Sequence, residues 1–181
     1  NWLKKFTKKL NNLQRRYNFF LIGGDLSKSN KIIISSNFFG FAPKGKTLNR
    51  IGAKINDDIW VTGNLGESSI GLAIKQKKIR LKNITKKYFL NKYLFPQHCF
   101  IGDKINNFAT SAIDMSDGFY GDLENLINEK KIGAFINSSL IPFSNKTKKL
   151  IRNKIIYFNY LLSAGDNYEL LFTAHPTNTL M

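Results

Sequence analysis

The spacing of apolar residues divides the chain into helical and extended stretches. Trp2, Phe6, Leu10, Leu13 and Tyr17 recur at helical intervals with Lys4, Lys5, Lys8 and Arg15 between them, which predicts an amphipathic helix over 2–17. A short apolar run over 19–22 predicts a strand that delivers Gly23-Gly24-Asp25, and a second strand is expected over 31–42. Pro43-Lys44-Gly45-Lys46 then breaks the pattern and marks a boundary, giving pieces 1–45 and 46–181. Beyond it come a turn at Asn56-Asp57-Asp58, a strand over 59–62 and the glycine loop Gly63-Asn64-Leu65-Gly66. Helices are expected over 68–77 and over 86–94, the second stopping before Pro96. Ser111 to Ile113 suits a strand end, and a helix follows Gly118 to about Lys130. A strand around 134–136, a short basic helix over 146–154 and a last strand over 168–173 complete the pattern. Strands mixed with helices imply α/β or α+β layers.

Composition narrows the class. Hydrophobic content of 43% with 15 Phe in 181 residues describes a folded chain rather than a disordered one. No apolar run approaches the length of a bilayer span, and no charged-then-apolar leader opens the chain, so no membrane partner is expected. Cys99 is the single cysteine, which excludes an internal disulfide and points to the cytoplasm. The 28 Lys and Arg against 12 Asp and Glu, net +16, would attract polyanions, so a basic nucleic-acid-binding module is one alternative. The lysines are spread through nearly every segment as part of a Lys, Asn and Ile bias, without a recognisable binding module. No nucleic-acid partner is therefore expected. The acids are scarcer, and Asp25, Asp114, Asp117 and Asp166 all sit in glycine-associated turns.

Ala112-Ile113-Asp114-Met115-Ser116-Asp117-Gly118 carries the clearest chemistry. Two carboxylates three residues apart on one turn, with a hydroxyl between them, suit a hard cation such as Mg²⁺, which combines a few carboxylates with phosphate oxygens. Asp and Gly also populate plain turns, and Gly63-x-x-Gly66 lacks the Gly-Lys-Ser/Thr of a P-loop. Its expected role is close packing of the next helix. Arg50 could clamp a phosphate through two parallel bonds. His98 and Cys99, without partners at metal spacing, read as packing residues. Asp57 and Asp58 read as turn residues, and Phe38-Phe39-Gly40-Phe41 as core or a subunit interface.

Several segments together resemble the thiamine-monophosphate kinase family. They are Leu21-Ile22-Gly23-Gly24-Asp25, Asn49-Arg50-Ile51-Gly52-Ala53-Lys54, Val61-Thr62-Gly63 with Gly71-Leu72-Ala73-Ile74, and Ala112 to Gly118. The last is Leu162-Ser163-Ala164-Gly165-Asp166-Asn167-Tyr168-Glu169-Leu170. The resemblance implies the end of an N-terminal, dimer-forming α/β domain, followed by a C-terminal α/β domain with a mixed sheet and flanking helices. It implies ATP-dependent phosphorylation of thiamine monophosphate to thiamine diphosphate, the last step of that cofactor's biosynthesis, in a cytoplasmic homodimer with ATP between domains. By motif match, Asp25, Asp114 and Asp117 would hold Mg²⁺. Gly24, Asp25, Arg50 and Ser116 would contact ATP, and Asp166 the substrate. The acceptor would be the substrate's own ionised phosphate, so no catalytic base is expected, and positioning and metal ions carry the rate. Another ATP-using member of the same superfamily, such as a selenophosphate synthetase, is the nearer alternative. The chain departs from the family at Ala164, Asp166 and Asn167, where glycine, glutamate and aspartate are usual. The family's opening segment and C-terminal tail have no counterpart in these residues, so the piece alone is expected to be inactive.

Overall fold

A computed structural model describes residues 2–97 and 99–177; Asn1, His98 and the final four residues lie outside the described residues. The chain divides into two compact units, Asn1–Gly40 and Phe41–Met181. No helix among the described residues is long and apolar enough to cross a membrane.

In the first unit the amphipathic pattern forms helix α1, Trp2–Tyr17, with Trp2 stacked on Phe6 at 5.2 Å between ring centroids. Neither strand expected over 19–22 or 31–42 forms. The segments carry no regular element and have no ladder partner among the described residues. A strand is defined by pairing, and an apolar run supplies only the wish for it. The consequence is a row of open apolar side chains, with Phe20 81%, Ile22 86% and Phe39 85% exposed. The aromatic run 38–41 is therefore not core.

The second unit is built on a three-stranded sheet. Strand β1 is Asp58–Val61, β2 is Ala109–Asp114 and β3 is Leu170–Ala174. The order is β1-β3-β2, with both pairings antiparallel. The expected mixed sheet is thus antiparallel: β3, last in the chain, inserts between two strands that run the same way but do not touch. The strand expected at 134–136 is absent, and that segment runs without a ladder partner. Helices α2 (Glu67–Lys75) and α3 (Asn83–Leu94) pack as a pair, followed by the single turn α4 (Gly102–Ile105) and by α5 (Phe119–Ile127). Then come α6, Asn145–Arg152, and α7, Phe158–Ser163. Leu65, Ile70, Phe89, Met115, Leu161 and Leu171 are fully buried and define the core beneath these helices.

Glu67, in the first turn of α2, is 3% exposed and still satisfied. The Tyr88 hydroxyl donates to its Oε1 at 2.6 Å, Lys92 Nζ lies 3.0 Å from its Oε2, and the helix start favours its charge. Burial first, then the bond to Glu67 and its charge, push the Tyr88 hydroxyl up to about 12. Glu67→Ala strips both donors of their acceptor and should lower unfolding free energy by about 2 kcal/mol in a denaturant titration. The folded value lies above the ordinary 10.0, so the Tyr88 contribution is full below pH 10 and fades as pH rises through about 12. The stability gap between the unsubstituted chain and Tyr88→Phe should close over that window.

Candidate functional site

Strand β2 ends at Asp114, and the chain turns through Met115, Ser116, Asp117 and Gly118 into α5. Met115 fixes the corner from below, its side chain fully buried. Its N–H donates to the Glu169 carbonyl and its own carbonyl accepts from the Tyr168 N–H, both at 2.8 Å. The Asp166 N–H adds a bond of 3.0 Å to the Ser116 carbonyl. Pairing of β2 with β3 thus continues past the strand ends, and the Asp114 corner meets the 163–167 loop backbone to backbone. Gly118 has φ +108°, and a Cβ there would lie 2.7 Å from the Ser163 carbonyl oxygen. Gly165 likewise abuts the Ser116 carbonyl with no room for a side chain.

Asp122 locks the turn from the first turn of α5. It is 1% exposed, and its Oδ2 accepts the N–H groups of Asp117 at 3.1 Å and Gly118 at 3.0 Å. Burial pushes its carboxyl up, the two N–H bonds oppose this, and the charges of Asp117 and Asp114 push up again. With the backbone held this way, Asp114 and Asp117 stay exposed. They open on a cleft of about 590 Å³ lined also by Leu48, Arg50, Ser116 and Asp122. The Arg50 guanidinium lies 3.9 Å from Glu129 with both side chains half-exposed, a loose tether.

The donors fit Mg²⁺. All are hard oxygens, and among the described residues no group of three His, Cys, Asp or Glu could hold a metal ion unaided. A cation that keeps water and phosphate oxygens in most of its coordination sphere suits such a sparse set.

Four of the expected residues, Arg50, Asp114, Ser116 and Asp117, therefore share one cleft. Asp166 is bonded to that corner through its backbone, has φ +61°, and accepts a 3.1 Å bond from the Tyr168 hydroxyl at its Oδ1. That bond and the Asp166 charge push the tyrosine's pKa up. Gly24 and Asp25 belong to the first unit and are exposed, with the Asp25 Oδ2 accepting from the Ser27 hydroxyl at 2.9 Å. Cys99 is exposed, against the packing role expected for it.

Two departures from the family pattern have local causes. Ala164 has φ −84° and ψ 130°, ordinary extended backbone that needs no glycine. The Asn167 side chain accepts from the Gly66 N–H at 2.9 Å and donates to the Ala164 carbonyl at 3.0 Å. An ionised aspartate could make only the first of these bonds. Sequence reasoning missed this role, and it missed Asp122, although an acid four residues after Gly118 in a helix's first turn was a readable signal.

No family model matches the chain. Among curated proteins, the thiamine-monophosphate kinase of Buchnera aphidicola from Acyrthosiphon pisum is 39% identical over 181 residues, covering 98% of this chain and 55% of the relative. This chain is a relative of the thiamine-monophosphate kinases. The Escherichia coli K12 kinase is 35% identical over 179 residues, with 98% and 54% covered, so the chain spans about half the length of the curated kinases it matches. A solved structure described as "AaThiL complexed with AMPPCP and TMP" superposes with a TM-score of 0.63 at 27% identity, over 72% of this chain and 43% of that one. The family resemblance in the motifs and the shared fold therefore agree.

Proposed function

We propose that the protein carrying this chain transfers the γ-phosphoryl group of Mg-ATP to thiamine monophosphate, giving thiamine diphosphate and ADP. This is the last step of the cofactor's biosynthesis. The observation that supports it most is one cleft uniting Asp114, Ser116, Asp117 and Arg50 in a chain 39% identical to a kinase of that name. Asp114 and Asp117 would hold the metal, which supplies charge neutralisation between two anionic reactants. Arg50 offers planar donors to phosphate oxygens, and the Ser116 hydroxyl donates to the nucleotide. Asp166 faces the acceptor substrate. In the first unit, Gly24 and Asp25 are nucleotide and cation contacts by motif match.

An oxygen of the substrate's phosphate forms the new bond to the γ-phosphorus as the bond to the ADP oxygen breaks. That acceptor is already ionised near neutral pH, so no side chain needs to take a proton. The residues 1–45 are the end of a dimer-forming domain and 46–181 a synthetase-like domain; the open apolar run from Phe20 to Phe41 favours a homodimer. The working compartment is the cytoplasm.

The test is formation of thiamine diphosphate by the complete protein from thiamine monophosphate and Mg-ATP. Chelation should abolish it and added Mg²⁺ restore it. Faster ATP consumption with selenide than with thiamine monophosphate would assign a different acceptor.

A further inference from the structure

Strand β2 is at the sheet edge, and the segment carrying Arg50 covers its open side. The Ala112 N–H donates to the Asn49 carbonyl at 3.1 Å, and Gly52 abuts the Thr110 carbonyl so closely that no Cβ would fit. Thr110 itself occupies an irregularity in the ladder, since Ala109 pairs with Ala174 while Ser111 already pairs with Thr173. A bulge of this kind re-aims a side chain. Here the Thr110 hydroxyl donates to Asp57 Oδ2 at 2.5 Å, and the same oxygen accepts the Lys54 N–H at 2.9 Å. Behind Thr110, the hydroxyls of Thr173 and Ser111 continue the chain at 2.6 Å each. Asp57 Oδ1 is the one buried side-chain oxygen among the described residues without a hydrogen-bond partner. A plain turn aspartate would leave that oxygen in water.

We propose that Asp57 is a positioning residue for Arg50: it clamps the 49–57 segment onto the bulge of β2 and so sets the guanidinium at the cleft beside Asp114. The proposal rests on the reading of Arg50 as a phosphate-binding group. The Asp57 carboxylate touches no reactant; it acts only through the segment it holds.

Two measurements on the complete protein test it. Without the clamp, the Ala112 amide, which bonds to Asn49, should exchange with solvent about tenfold faster or more in Asp57→Ala, while β3 amides keep their protection. Asp57→Asn, whose amide oxygen can accept the same two bonds, should restore slow exchange. Unchanged Ala112 exchange in Asp57→Ala, or equal loss across β3, overturns the clamp. Second, affinity for a non-hydrolysable ATP analogue should fall about tenfold in both Asp57→Ala and Arg50→Ala, and no further in the double variant. Effects that multiply in the double variant overturn action through Arg50. Should Arg50→Ala leave nucleotide affinity unchanged, the phosphate role of Arg50 fails and the positioning proposal falls with it, whereas the exchange result still judges the clamp.

Discussion

Under the proposed reading of Asp114 as a cation ligand, Asp114→Asn in the complete protein should lower turnover with Mg-ATP by about a thousandfold, since such a ligand supports several kcal/mol of transition-state charge. The substitution keeps the shape of the side chain and removes its charge. Asp114 is exposed at the end of β2, so its loss should barely disturb the fold. Exposed substitutions of this kind usually stay within about 0.5 kcal/mol, or roughly 2 °C of melting temperature for a chain this size. ADP release measured by a coupled assay, with thermal melting alongside, separates the two effects. Glu124→Gln, an exposed acid on the adjacent helix α5, serves as the control and should keep full activity. Asp114→Asn turnover within tenfold of the unsubstituted protein would take this residue out of the cation site.

Gly118→Ala carries the largest expected loss of stability, about 3 kcal/mol, from two costs at one atom. Its backbone, at φ +108° and ψ 159°, lies where only glycine is comfortable. The added methyl would also press on the Ser163 carbonyl at 2.7 Å and on the Ala164 carbonyl carbon at 3.1 Å. Relief requires the turn to move, and Asp117 moves with it, so activity should fall together with a melting temperature lowered by roughly 10 °C. Gly133→Ala is the contrasting case, because nothing lies within 4 Å of its added atom and its φ is not positive. Equal melting temperatures for the two variants would show that the close approach at Gly118 yields at little cost.

The residues explain where the sequence was a good guide. The helix with a sustained 3.6-residue stripe was legible, since α1 occupies 2–17 as expected, and the proline at 96 marked where α3 ends, at Leu94. The acid corner was legible because its residue types are rare in so basic a chain. Strands were less so. The runs at 19–22, 31–42 and 134–136 have the right apolar content, but pairing is a property of the neighbour and not of the run. The antiparallel sheet depends on β3 pairing with both β1 and β2, strands remote from it in sequence, which no local spacing encodes. Hydrogen-bond partners distant in sequence were hidden for the same reason. Asp57 meets Thr110 and Asn167 meets Gly66, so a turn acid and an apparent family departure became structural ties only once the chain had folded.

The seam between Met115-Ser116 and Asp166 to Glu169 has an evolutionary and practical corollary. Three backbone atoms of Met115 and Ser116 bond to the 166–169 backbone, and Gly118 and Gly165 each lie against the opposite segment with no room for a side chain, so neither segment can gain a side chain at its glycine without displacing its mate. Grafting a relative's late loop to retune acceptor choice should succeed when the graft keeps glycine at 165 and a small path for Gly118 beside residue 163. Chimeras that place a side chain at either glycine position are the ones expected to fold poorly.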